Sequence, residues 1–446
     1  MASPTASPST ASPLQTWQRE TLALLADLRF AILLLLLIAL ASISGTVIEQ
    51  GEPPAFYHAN YPERPALFGF LTGSLILQLG FDHVYRTWWF LALLILLGLS
   101  LSLCTLRRQW PALKAAQNWR YYTRPQQFQK LALSAELPAR DLSTVETLLR
   151  HKGYALHRAD HTLYARKGIL GRVGPILVHA SLLTILAGAI LGAMTGFLAQ
   201  EMVPSGERFT IQNILQAGPW AQAPANLTFQ VNRFWIDYTP KGDIDQFYSD
   251  ITVLDTQDTP LDRKTIHVNL PLRFRGLTLY QTDWGISAVR VQLNNSPIFE
   301  LPVRPVTLSA GRFWGAWLPT RPDLSQGLTL LLRDLQGQAF LYNPQGQFLG
   351  AIRLGETLPI EGLNLHLIDI LGSTGLQIKS DPGVPLVYTG FALLMVGVAL
   401  SYLSHSQIWA LQDGDYLYLG GRTNRAQLTF EREFLDLLNQ IPAHSG

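Results

Sequence analysis

The chain has 446 residues and a formal net charge of +2; 48% of its residues are hydrophobic, 15% are charged, and the mean hydropathy is +0.15. That balance is too apolar for an ordinary soluble enzyme and too nearly neutral for a nucleic-acid binder, so no nucleic-acid partner is expected. A single cysteine, Cys104, excludes an intramolecular disulfide framework and any CxxC redox motif.

Residues 1–27 begin with the uncharged, aperiodic MASPTASPSTASP, and the segment is expected to be a disordered cytoplasmic tail. Residues 28–48 form the first transmembrane helix, because the AILLLLLIAL core continues beyond the apolar region of a signal peptide. Residues 49–87 are an acidic, aromatic-rich loop carrying His58 and His83, expected on the lumenal or periplasmic side. Within it Leu67–Phe81 is apolar but broken by Gly69, Gly73 and Gly80, which predicts an interfacial helix.

Residues 88–106 are the second span, anchored by Trp88 and Trp89. Residues 107–171 are basic and read as a small cytoplasmic α/β unit. Asp141 caps a helix that carries Val145, Leu148 and Leu149 on one face, and Tyr154–Ala165 forms a hairpin. Residues 172–198 are the third span. Residues 199–383 contain many short alternating runs such as LTFQVNRFWIDY and LNLHLIDIL, the pattern of an all-β sandwich or barrel. Residues 384–403 are the fourth span and 404–446 a cytoplasmic tail. Its last helix places Phe430, Phe434, Leu437, Leu438 and Ile441 on one face, to pack against the basic unit.

The expected fold class is therefore an integral membrane protein. It has four transmembrane helices, a large extracytoplasmic all-β domain and a small cytoplasmic α/β unit. The basic segment flanks two spans, so the positive-inside rule puts both termini in the cytoplasm and the β domain in the lumen or periplasm. Membrane lipid is the first expected partner.

No HExxH, GxSxG or phosphate-binding loop is suitably placed, so no catalytic residue and no metal site is assigned. Asp243, Asp245 and Asp250 resemble a calcium loop only faintly, and a solvated turn is the plainer reading. The residue that stands out is His179, about six residues into the third span and so ~9 Å from its cytoplasmic end. An imidazole in lipid is a hydrogen bonder between helices, an axial ligand to a metal or haem iron, or part of a proton relay. His405, just past the fourth span, is a helix C-cap or a second ligand at the same membrane face. His58 and His83 lie beside aromatic residues in the outer loop and are surface histidines or contacts for a planar ligand. His267 and His366 alternate with apolar residues in strands and are read as structural.

The segments LRFAILLLLLIALASISGTVIEQ, FDHVYRTWWFLALLILLGLSLSLCTLRRQ, ARKGILGRVGPILVHASLL, FWIDYTPKGDIDQFYSDITVLD, KTIHVNLPLRFRGLTLYQTDW and SYLSHSQIWAL run in order from Leu28 to Leu411. In this combination the chain resembles the ResB/CcsB family of System II cytochrome c biogenesis, in its cyanobacterial and chloroplast branch. The resemblance implies a thylakoid membrane subunit that works with CcsA (ResC) to deliver haem across the membrane and attach it to the CxxCH of apocytochromes c such as cytochrome f. A thioredoxin-like reductant would serve the same pathway. It implies haem as a transient cofactor shared with CcsA and His179 in the GPxxxH segment as its candidate ligand; His405, His83 and His58 are weaker candidates from the reading of the residues alone. It further implies an accessory subunit of the haem lyase rather than its catalyst. A membrane chaperone that presents apocytochrome to CcsA without binding haem is the alternative.

Overall fold

The computed structural model describes residues 13–138, 141–308, 311–321, 323–360 and 362–441. Two compact units are present, Met1–Leu191 with Gly383–Gly446, and Gly192–Pro382.

The helices are α1 (Pro13–Leu25), α2 (Leu28–Val47), α3 (Pro54–Asn60), α4 (Gly73–Leu79), α5 (Trp88–Cys104), α6 (Trp110–Gln117), α7 (Leu142–His151), α8 (Gly174–Thr195), α9 (Val384–Ser401) and α10 (Gln427–Gln440). Four helical stretches among the described residues are long and apolar enough to cross a membrane: Leu28–Val47, Trp88–Gln117, Ile169–Thr195 and Val384–Ser401. Many of their leucines and isoleucines point outward, with Ile32, Leu36, Leu40, Ile95, Leu99 and Leu191 exposed. A helix satisfies its own backbone hydrogen bonds, so such a surface is stable only in lipid. The protein is an integral membrane protein with a β domain.

Three local expectations need correction. The segment through residue 27 is not structureless, because Pro13–Leu25 is a helix packed against α2 and α5; the residues before 13 lie outside those described. Good helix formers in QRETLALL supply the local reason. The outer loop does not hold one helix over Leu67–Phe81. Leu67 and Leu71 bridge across a turn that exposes Phe68 and Phe70, and α4 follows, capped by Thr72 and ended by Gly80 at φ 74°. Helix α5 does not stop at the arginines. It continues through a π turn, Thr105–Gln109, into α6.

The basic segment and the C-terminal tail make one domain. Its antiparallel sheet runs in the order Leu133–Pro138, Tyr416–Thr423, Ser406–Asp413, Thr162–Lys167, Ala155–Ala159, so the tail supplies two inner strands. Helices α7 and α10 cover one face through Leu142, Val145, Leu149, Phe430, Phe434 and Leu437. Asp141 caps α7, accepting from Ser143 N at 3.2 Å.

The second unit is built on two long antiparallel strands, Leu277–Leu293 and Leu363–Ser380. Leu277, Leu279, Leu376 and Ile378 enter one core with Phe229, Val231 and Ile251, while Ile286, Val289, Val291, Leu365 and Leu367 enter another with Trp314 and Leu330. Register shifts at Gln281/Asp283 and Ile286/Ala288 mark the passage between them. A one-residue shift turns side chains to the opposite face, so one strand pair can serve two sandwiches. At the join the buried Ser249, Gln281 and Thr374 satisfy one another; Ser249 Oγ donates to Gln281 Oε1 at 2.5 Å, and Gln281 Nε2 donates to Thr374 Oγ1 at 2.7 Å. The calcium-loop reading fails in this unit, because Asp250 takes both ends of the Arg263 guanidinium at 3.1 and 2.5 Å.

Candidate functional site

Helices α8 and α9 run antiparallel with small residues at the seam. The buried positions of α8 are Gly174, Ser181 and Gly188, and those of α9 are Gly390 and Gly397, each set spaced by seven. A Cβ on Gly390 would stand 2.5 Å from Ile185 Cγ1 and 3.0 Å from Ser181 O, and one on Gly397 would stand 2.9 Å from Val178 N. In lipid, helices associate by this close backbone approach, since burying apolar surface yields little there.

His179 lies in the second turn of α8, half-buried, opposite the π turn that ends α5. The wide turn rotates Thr105 and Gln109 toward the ring. Thr105 Oγ1 is 2.8 Å from His179 Nδ1 and also donates to Leu101 O at 2.8 Å. With the hydroxyl proton directed to Leu101, Thr105 accepts from Nδ1–H, and the lone pair falls on Nε2. Gln109 Nε2 lies 3.2 Å from that atom and 3.4 Å from Nδ1, so it rests against the ring face, and Gln109 Oε1 is buried without a hydrogen-bond partner. A ring whose Nδ1–H is anchored and whose Nε2 carries the lone pair is set up as a metal ligand. π turns inside helices are themselves frequent at functional sites.

A cleft of about 350 Å³ opens beside the ring. Pro175, Val178 and His179 line it from α8 and Val398, Ser401 and Tyr402 from α9, while Arg425 reaches in from the loop before α10. The Arg425 guanidinium donates to Ser401 O. Its backbone is fixed by Thr423 Oγ1, which donates to Arg425 O at 2.8 Å, and by Ala426 in the left-handed conformation at φ 51°.

The other candidate histidines do not join this site. His405 is not a C-cap, the place held by Tyr402; it lies 1% exposed at the start of a strand, where its N–H donates to Asn424 Oδ1 at 2.7 Å. Both ring nitrogens lack a hydrogen bond. Burial pushes its pKa down to about 4, Arg172 adds to the effect, the Lys167 backbone opposes it, and Arg166 and Arg422 add smaller contributions in the same direction as burial. It does not line the cleft. His83 pairs with Asp82 at 2.8 Å and His58 is exposed in the last turn of α3. Both precede α5 whereas His179 meets its far end, so the ~25 Å length of that helix intervenes. His267 Nδ1 bonds Val268 O at 2.9 Å, and His366 Nδ1 bonds Glu356 O at 2.9 Å. Among the described residues no group of three His, Cys, Asp or Glu is placed to hold a metal ion.

Sequence reading missed Thr105, Gln109, Arg425 and the glycine seam. Only the last left a signal, the seven-residue spacing of Gly174, Ser181 and Gly188 and of Gly383, Gly390 and Gly397.

The sequence matches the ResB-like family over residues 28–312 and 332–435. It is 59% identical over 449 residues to the cytochrome c biogenesis protein CcsB of Trichormus variabilis, covering 100% of this chain and 97% of the relative. The protein of the same name from Microcystis aeruginosa is 59% identical over 95% of this chain and 96% of its own, and that from Synechococcus elongatus is 57% identical over 99% and 97%. With segments of both units matched and relatives aligned over nearly their full lengths, the chain belongs to the ResB-like family.

Proposed function

We propose that this chain acts in cytochrome c biogenesis, the process named in its relatives, as a membrane subunit that holds haem in transit. The observation that carries the reading is His179, a cleft-lining imidazole whose Nδ1 lies 2.8 Å from Thr105 Oγ1. The cleft fits one edge of a haem: it offers one imidazole, apolar walls at Val178 and Val398, and a cation at Arg425. When bound, haem supplies the iron and the vinyl groups to which cytochrome cysteines add. His179 would hold that cargo through Nε2, Gln109 would steady the ring, and Val178 and Val398 would exclude water. His179 is the histidine among the described residues lining the cleft, and a partner of the CcsA (ResC) type would supply any further ligand.

The basic segment that flanks α5 and α8 orients the protein by the positive-inside rule. Both termini and the α/β domain then face the cytoplasm, and the β unit lies in the lumen of a thylakoid or in the periplasm. There the β unit holds the apocytochrome c by adding its CxxCH segment to a sheet edge, with a thioredoxin-like reductant keeping the cysteines reduced.

The test is ferric haem titration of the full chain in lipid nanodiscs, followed by absorbance, alongside holocytochrome yield in cells. His179→Gly loses the imidazole-ligated spectrum and most of the yield, and added imidazole restores the spectrum. Unchanged spectrum and yield in His179→Gly would instead mean a chaperone that presents apocytochrome without touching haem.

A further inference from the structure

We infer that Arg425 is the residue that binds a carboxylate of the cargo, so that the cleft selects an amphiphile carrying acid groups. This rests on the haem-holding reading of His179. The cleft is chemically one-sided: apart from His179 and Ser401 its walls are aliphatic or aromatic, and Arg425 is the one charged residue that lines it. The guanidinium carries several N–H donors in a fixed fork, and its contact with Ser401 O engages one end, leaving donors free. The arginine is held for this position from both sides, by Thr423 on its own carbonyl and by the left-handed turn at Ala426 that starts α10.

Its surroundings reinforce the charge. Arg172 and Arg422 stand close enough to act electrostatically on His405 at the same corner, and Arg172 Nε is buried without a hydrogen bond. Among the described residues no carboxylate pairs with Arg172, Arg422 or Arg425. A helix C-terminus favours one cation, and Arg425 meets that need at α9. Arg172 and Arg422, outside the lining of the cleft, add positive charge beyond that need, and an anionic ligand on Arg425 would match it. Arg425 would hold a carboxylate of haem, and His179 would hold its iron.

The experiment uses the full chain in nanodiscs of zwitterionic lipid, titrated in parallel with ferric haem and with its dimethyl ester. Wild type binds the diacid about tenfold or more tightly than the ester, the scale of a charge-assisted hydrogen bond. Arg425→Gln lowers diacid affinity to that of the ester and leaves the ester unaffected; Arg425→Lys recovers part of the difference. His179→Gly weakens both ligands alike and keeps the preference for the diacid, which separates the two roles. The inference is overturned if wild type shows no preference, if Arg425→Gln retains it, or if that variant weakens both ligands equally, as a purely structural cap would. Loss of the diacid preference on adding anionic lipid to wild type, with Arg425→Gln indifferent to the lipid, supports one shared anion site; an equal lipid effect in Arg425→Gln counts against it. Failure of wild type to bind either ligand overturns the haem-holding reading together with this one.

Discussion

The α8–α9 seam makes the sharpest quantitative prediction. Gly397→Ala places a methyl group 2.9 Å from Val178 N, 3.1 Å from Val178 Cγ2 and 3.2 Å from Leu177 C. Two of these three atoms are backbone atoms of α8 and cannot rotate away. Relief to ordinary contact, 3.4 Å or more, moves the helices apart by roughly 0.5 Å at that level. Overpacking of this kind costs about 1–3 kcal/mol. The intrinsic preference of a helix for alanine over glycine returns about 1 kcal/mol. The net is a loss of up to about 2 kcal/mol, centred one residue from His179. Gly98→Ala in α5 is the matched control, because its nearest neighbours are side-chain methyl groups at 3.7 and 3.9 Å. That change is neutral or stabilises by up to about 1 kcal/mol. Thermal unfolding of both variants in the same nanodisc, read by tryptophan fluorescence, separates them. Truncating Val178 to alanine does not rescue Gly397→Ala, since the nearest obstacle is an amide nitrogen. Equal midpoints for the two glycine variants would refute the backbone-contact account of this seam.

Two further outcomes concern the histidines. His405 has a folded pKa near 4 against about 6.5 when unfolded, so between these values the unfolded chain takes up the proton. Its contribution is fully present above pH 6.5 and is lost as pH falls toward 4, about 3 kcal/mol in all. Unfolding of the full chain measured from pH 7.5 to 4.5 therefore shows a steeper acid loss in wild type than in His405→Leu, and parallel curves would contradict the buried neutral ring. Thr105→Val removes the partner of His179 Nδ1 at nearly constant volume. On the proposed role of His179 as a haem ligand, haem affinity falls by about 10–100-fold, the range for losing the group that orients a ligating histidine, with thermal stability little changed.

The sequence alone determined the four spans and singled out His179 as a polar group within one of them. Bilayer thickness requires about 20 apolar residues in a row whatever surrounds them, and an imidazole inside such a run needs a reason. It likewise determined the β character of residues 199–383, since alternation is a local property of a strand in a half-buried sheet. The family resemblance was legible in motifs spread from Leu28 to Leu411. What the tertiary structure decided is who stands next to whom. Thr105 and Gln109 reach His179 from 74 and 70 residues away, through a π turn that no hydrophobic period announces. The tail supplies inner strands to a sheet begun near residue 133, and two register shifts divide one strand pair between two cores. His405 reads in sequence as a residue at a helix end, yet the sheet that closes over it makes it one of the most buried polar groups in the chain. Hydropathy and periodicity depend on a residue and its near neighbours, whereas a hydrogen-bond partner or a burial site depends on segments brought together only when the chain closes on itself.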